Sequence, residues 1–352
     1  MLIGFATRAP VPASVCENDA GRRMISPGFV EDALACVRAR DLSAVPLLAA
    51  ADLPETVREP VSAEQYGVLW RAIALALDDE FLGLGLRPLR PGSFALLCQC
   101  VLHTATLEQA LRRTLRFLNV MLEEPAGELG VHEGQAQIVL RERGPARSAF
   151  AYRTYWIILH GIACWLVGRR ISLQLVDFRC GEPDRGAEYR QFFGAPVAFG
   201  QSVSRLAFDA EFLRLPVIRE EKALKEFLQR APANILVRYR HDAGLAAGVR
   251  RRLRAAAPAL WPRFEDMARQ MRLPASTLRR RLREEGQSYQ SIKDEIRRDG
   301  AMALLADGTR PVAEIAEALG FAEPSAFHRA FRKWTALSPA AFRRSRTGGA
   351  GP

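Results

Sequence analysis

Cysteine is scarce in this chain. Six residues in 352 (Cys16, Cys36, Cys98, Cys100, Cys164 and Cys180) are scattered without the dense, even spacing of a disulfide scaffold, which excludes a small stapled secreted fold and points to reduced thiols. Cys98 and Cys100, with His103 nearby, have a metal-like spacing, but no second cluster completes a four-ligand site and the surrounding FALLCQCVL is apolar. Packing is the favoured reading. Long apolar runs are also missing: the longest, YWIILHGIACWLVG, is broken by His160 and falls short of the roughly 20 residues a membrane span needs. The amino-terminal MLIGFATRAPVPASVC has no charged leader followed by an apolar segment, so no signal peptide is expected. A Gly-x-x-x-x-Gly-Lys phosphate loop, His-Glu-x-x-His, Gly-x-Ser-x-Gly and a dinucleotide fingerprint are all absent. The expectation is a protein that is not an enzyme, holds no metal or cofactor and works in the cytoplasm.

What is present is positive charge, unevenly placed. Residues 1–236 carry 27 Lys and Arg against 27 Asp and Glu, whereas residues 237–352 carry 23 against 12, so the whole net charge of +11 lies in the last third. A neutral unit followed by a basic one predicts that only the second meets a polyanion, nucleic acid first among them. At 352 residues the chain is long enough for two domains with separate cores.

Periodicity divides the chain in the same way. Helical spacing is seen over 29–39, 62–77, 94–102, 107–122 (with Thr106 as cap), 149–167, 187–193 and 217–229, and strand patterns over 128–132, 135–140, 172–178 and 204–208. Helices and short strands without regular alternation predict an α+β domain over 1–230. A linker is expected at 231–240, an all-α domain over 241–344 and a disordered tail over 345–352.

The segment VAEIAEALGFAEPSAFHRAFRKW, residues 312–334, is the most informative. Two helices crossing through a tight turn need a small residue where their backbones approach, here Ala316, and a residue tolerant of positive φ, here Gly320. Phe321, Phe327, Phe331 and Trp334 then face inward. Ser325, His328, Arg329, Arg332 and Lys333 face outward, chemically suited to phosphates and guanine edges. Upstream, FEDMARQMRLPASTLRRRLREEG repeats the device with Ala268 as the small residue, a turn near 271–274, and Ser276, Arg279, Arg280 and Arg283 outward. A helix over 289–306 joins the two helix-turn-helix units, and the recognition helices are expected at about 274–285 and 323–334.

The pattern EIAEALGFAEPSAFHRAFRKWTALSPAAFR resembles the signature of the AraC/XylS-type DNA-binding domain of bacterial transcription regulators, over about 241–344. The resemblance implies two helix-turn-helix units on one bridging helix that enter successive major grooves, with Arg329 and Arg280 as the most family-like contacts and Ser276, Arg279, Ser325, His328 and Arg332 setting sequence. PGSFALLCQCVLHTATLEQALRRTLRFLNV and EYRQFFGAPVAFGQSVSRLAFDAEFLRLP resemble the arabinose-binding-like sensor region of one subfamily, which implies a small-molecule effector, promoter DNA, RNA polymerase and a second copy of the chain as partners. Departures from the pattern are Gly300 inside the bridging helix, Ala336 after the second recognition helix, and Ala322 and Pro274 at capping positions. Gly300→Ala is therefore expected to stabilise the bridging helix.

In the sensor, Tyr152, Tyr155, Trp156 and His160 line a ligand pocket on one reading. On the other, they belong to a core or interface stripe, with Leu159 and Trp165 extending the adhesive face of a dimer. Two rival functions remain at this stage. One is a cysteine alkyl-acceptor DNA-repair enzyme carrying a similar DNA-binding domain; the other is an architectural DNA-binding protein without a ligand.

Overall fold

The computed structural model describes residues 24–236, 245–306, 308, 310–335 and 337–347. The amino-terminal leader motif, Cys16, residues 237–240 of the expected linker and Ala336 lie outside these residues. Among those described there is an α+β domain followed by an all-α domain, as the sequence pattern implies.

The first domain begins with β1 (Met24–Ile25), α1 (Pro27–Arg38), α2 (Val45–Ala50), β2 (Val61–Ser62) and α3 (Ala63–Leu77). Ser62 opens α3 with a reciprocal cap: its hydroxyl accepts from Gln65 N, and Gln65 Oε1 accepts from Ser62 N, which satisfies two end donors at once. Next come α4 (Ser93–Leu102) and α5 (Leu107–Leu122). The Thr106 hydroxyl caps α5 at Gln109 N, 3.4 Å away, as its position before an amphipathic run predicts.

The remaining sensor elements are β3 (Ala126–His132), β4 (Gln135–Arg141), α6 (Ala149–Leu166), β5 (Leu173–Asp177), α7 (Gly186–Phe193), β6 (Val197–Ala198) and β7 (Ser204–Asp209). A 3-10 turn (Ala210–Arg214), α8 (Glu221–Arg230) and α9 (Ala233–Leu236) complete the domain. The five-stranded sheet has order β3-β4-β7-β5-β6, antiparallel except between β5 and β6. Glu133 and Gly134 form the β3–β4 hairpin turn, both at positive φ (50° and 77°), the geometry that matches strand twist. Along α6 every residue except His160 is buried, Arg153 and Thr154 included, so this mainly apolar helix is the domain's central strut.

Three boundaries differ from the sequence reading. The closing helix starts at Glu221 because Val217 N and Ile218 N bond to the carbonyls of Ala105 and Leu166, holding that stretch extended. Residues 233–236, assigned to the linker, form α9, with Ile235 and Leu236 buried in the sensor core. The carboxy-terminal helix runs on to Thr347, so residues 345–347 are helical where a disordered tail was expected.

The second domain comprises α10 (Leu245–Arg254), a 3-10 turn (Pro258–Leu260), α11 (Phe264–Gln270), α12 (Ala275–Glu284), α13 (Tyr289–Ala306), α14 (Val312–Ala318), α15 (Pro324–Thr335) and α16 (Pro339–Thr347). It has two cores. Val249, Leu253, Met267, Leu278 and Leu282 meet Ile292 in the first, and Ile315, Phe327, Phe331 and Phe342 meet Ala301, Met302 and Leu305 in the second. One helix, α13, thus supplies a wall to each.

Candidate nucleic-acid interface

The two helix-turn-helix units share one hydrogen-bond pattern. In the second, Ala316 is 1 % exposed, Gly320 has φ 72°, and Phe321 N donates to the Ala316 carbonyl at 3.0 Å. In the first, Ala268 is 2 % exposed, Arg272 has φ 55°, and Leu273 N donates to the Ala268 carbonyl at 3.0 Å. The turn expected near 271–274 is the same turn, with arginine rather than glycine in the left-handed conformation.

Gly320 has a second reason to be glycine. A Cβ there would stand 2.9 Å from the Pro258 carbonyl carbon and 3.0 Å from Ala259 N, which are backbone atoms of the 3-10 turn ahead of the first unit.

Burial sorts the side chains as the spacing requires. Leu278 and Leu282 on α12, and Phe327 and Phe331 on α15, are at most 1 % exposed. Ser276, Arg279, Arg280 and Arg283, and on the other unit Ser325, His328, Arg329, Arg332 and Lys333, are all exposed. Phe321 and Trp334 are half-buried, their rings 6.1 Å apart.

Some of these cations already have neighbours. Arg280 reaches Glu284 at 2.7 Å within its own helix, and the Arg279 guanidinium lies 4.9 Å from the centre of the Phe264 ring. Lys333 stands 3.9 Å from Glu211 of the sensor, an exposed pair of little energetic weight.

Arg297, at mid-length on α13, is a structural residue that sequence reading missed. Its Nε and Nη2 donate to the carbonyls of Leu319 (3.0 Å) and Gly320 (3.2 Å) at the carboxyl end of α14. Its guanidinium also lies 5.2 Å from the Trp261 ring and 4.9 Å from the Phe321 ring, touching both units. Its place between the two motifs was the available signal. Arg297→Met is expected to lower the stability of this domain by about 2–3 kcal/mol, through lost charge-assisted hydrogen bonds and stacking, read as a shifted melting transition.

Gly300 has a close neighbour that its place in the sequence does not show. A Cβ there would come within 3.0 Å of Leu319 Cδ2, and Leu319 is itself 5 % exposed in the second core. Gly300→Ala is now expected to lower the melting temperature, because crowding a packed core offsets the ~0.5–1 kcal/mol of helix propensity gained.

The sensor's four candidate ligand residues do not line the cavity found in that domain. Tyr152, Tyr155 and Trp156 are fully buried inside the core, with Tyr152 bonded to Glu142 and with Tyr155 packed edge-on against Trp156 and Phe81. Leu159 and Trp165 are buried as well, so the adhesive-face reading of this stripe fails for lack of surface. His160 Nε2 lies 2.8 Å from the Ile171 carbonyl oxygen and 3.4 Å from Cys164 Sγ. That Cys–His proximity, invisible as a motif, does not activate the thiol: burial pushes Cys164 up to about 12. Cys98 is buried on α4 and His103 is exposed at its end. Among the described residues no group of three or more His, Cys, Asp or Glu is placed to hold a metal.

The cavity lies on the other face of α6. It has a volume of about 290 Å³ and is lined by Thr154, Ile157 and Ile158 of α6 together with residues of α3, α4, α8 and α9. A helical wheel of 149–167 shows that face, but which face holds a cavity depends on long-range packing.

The domains meet backbone to backbone. A Cβ on Gly286 (φ 67°) would fall 2.2 Å from the Val167 carbonyl oxygen, and one on Gly168 (φ 66°) 2.9 Å from the Glu285 carbonyl oxygen. Beside them Arg170 pairs with Asp299 at 3.0 Å, the side chains only 6 % and 10 % exposed, and α15 packs against β5.

Two helix-turn-helix units on one bridging helix, behind an α+β domain, are the architecture of a class of transcription regulators. The comparisons agree. Residues 40–217 match the arabinose-binding domain of AraC transcription regulators, and residues 267–345 match a helix-turn-helix domain. The ornithine utilization regulator of Pseudomonas aeruginosa is 30 % identical over 296 residues, spanning 82 % of this chain and 87 % of that one. The transcriptional regulator VqsM of the same organism is 40 % identical over 88 residues, 25 % of this chain and 27 % of that one. Among solved structures, the transcriptional regulator CdpR from Pseudomonas aeruginosa aligns over 86 % of this chain and 96 % of its own at 21 % identity, with a TM-score of 0.28. This chain belongs to the AraC family of transcription regulators.

Proposed function

We propose that the protein is a sequence-specific promoter-binding regulator controlled by a small-molecule effector, in which α12 and α15 enter adjacent major grooves. The observation that carries this reading is the pair of exposed faces, Ser276 to Arg283 and Ser325 to Lys333, each mounted on its own core and both cores sharing α13. The basic excess of residues 237–352 supplies the sequence-independent attraction. A relative named for ornithine utilization supports control by a metabolite. The protein works in the cytoplasm on the nucleoid, as a homodimer that acts with RNA polymerase. The buried Cys164 and the helix-turn-helix relatives favour this over an alkyl-acceptor repair enzyme.

Footprinting on the chain's own promoter region tests the reading, with light scattering for the dimer. Arg329→Ala is expected to weaken binding to all sequences alike and to reduce the slope of log K against log[salt] by about 0.9, the signature of one lost phosphate contact. Arg332→Ala is expected to relax preference at one base pair by roughly 1–3 kcal/mol. Indistinguishable sequence profiles for the two variants would refute the division of labour, and binding that is flat with salt would refute DNA binding by this face.

A further inference from the structure

The cavity behind α6 is apolar in most of its walls, with three polar residues, Thr154, Arg71 and Glu80. Trp70, Ala74, Phe94, Ile157, Ile158 and Leu236 supply much of the lining. The first polar point is Thr154, 1 % exposed, whose Oγ1 has no hydrogen-bond partner. A buried hydroxyl left in that state costs free energy that a bound ligand would recover. The second is Arg71, exposed at the mouth: its Nη1 donates to the Ala231 carbonyl at 2.7 Å, and it forms no ion pair among the described residues. Glu80 also lines the cavity, but its two carboxylate oxygens are taken up by Gly92 N (2.8 Å) and Phe94 N (2.7 Å). Arg71 is therefore the uncommitted charge.

The wall formed by Ala231, Pro232, Ile235 and Leu236 is the segment from which the chain leaves the sensor. It sits on two glycines: a Cβ on Gly67 would fall 2.7 Å from Ala233 Cβ, and one on Gly161 would fall 2.9 Å from Ile235 Cβ. This seating fixes α9 against α3 and α6. A ligand that fills the cavity presses on α9, and an acid drawn to Arg71 competes with the Ala231 carbonyl that anchors the same segment.

We propose that this cavity is the effector site, that it takes a mainly apolar monocarboxylate with its acid group on Arg71, and that occupancy is transmitted through α9 to the DNA-binding domain. The inference rests on the regulator reading above and deepens it. At about 290 Å³ the cavity has room for roughly ten non-hydrogen atoms, taking a water's share of ~30 Å³ as the unit.

Three probes of one shape and different charge test it on the full chain: 3-phenylpropionate, 3-phenylpropanol and 3-phenylpropylamine, each at millimolar concentration in thermal-shift titrations. The acid is expected to raise the melting temperature most and the amine least. Arg71→Gln, an exposed change that leaves the core intact, is expected to erase the acid's lead over the alcohol, and Thr154→Val to weaken the acid several-fold. The proposal is overturned if the amine leads, if the acid's lead survives Arg71→Gln, or if none of the probes shifts the transition. Salt-dependent DNA binding is measured on the same preparations. A chain that binds DNA but ignores the probes removes this site and leaves the regulator reading standing; a chain that binds the acid but no DNA does the reverse.

Discussion

Gly286→Ala is expected to undock the two domains while leaving both folded. The new Cβ would lie 2.2 Å from the Val167 carbonyl oxygen, and that atom is backbone, so no rotamer change relieves the overlap. The residue also has φ 67°, where a side chain costs about 1–2 kcal/mol. The cheapest escape is to open the interface, which exposes the Arg170–Asp299 pair to water and removes most of what that pair contributes. Small-angle scattering is expected to show a larger radius of gyration. DNA affinity is expected to rise, because the carboxyl end of α15, where Lys333 lies beside Glu211, is freed from the sensor. A scattering profile identical to that of the unaltered chain would show that the interface accommodates the methyl group and that the backbone contact is not the pivot.

The other large effect is at the second turn. Gly320→Ala combines a left-handed φ of 72° with a Cβ 2.9 Å from the Pro258 carbonyl carbon, for a loss of roughly 2–5 kcal/mol when the conformational and overpacking costs are added. The second core is small, with nine buried residues among those described, so a loss of this size removes it under ordinary conditions. The footprint is expected to shrink to the half contacted by α12, with an early melting step in the DNA-binding domain. Gly320→Asn separates the two causes, since asparagine tolerates left-handed backbone but still carries a Cβ. Failure of asparagine to restore the footprint is the expected result; recovery would assign the cost to conformation alone.

The two helix-turn-helix units were legible because their logic is local. Ala316, Gly320, Phe327 and Phe331 lie within sixteen residues, and helical periodicity alone puts them on the side they occupy. The Thr106 cap was legible for the same reason. The residue at the pivot of the first turn was not legible, because Arg272 does what glycine usually does and nothing in a sequence announces an arginine at positive φ. Tyr152, Tyr155 and Trp156 read as a stripe with a face to offer because aromatic spacing reports a helix face without saying what covers it. Here the sheet, α1 and α7 cover one face, and the cavity opens on the other, beside Thr154. Residues 233–236 read as linker because four residues are too few to show a period, although two glycines more than sixty residues upstream in the chain, Gly67 and Gly161, are shaped to receive them.

Because α13 is a wall of both cores, it also sets the phase between the two reading heads. Its 18 residues amount to about 27 Å of rigid helix at ~1.5 Å per residue. Inserting or deleting one residue near its middle would slide one unit only ~1.5 Å but turn it by about 100° relative to the other, so that the exposed cations of α12 and α15 no longer share one side. Selection on such a chain has no gradual route to a new operator spacing. If α12 and α15 both read DNA as proposed, new targets come by exchanging side chains on these two helices, with the distance between half-elements held constant.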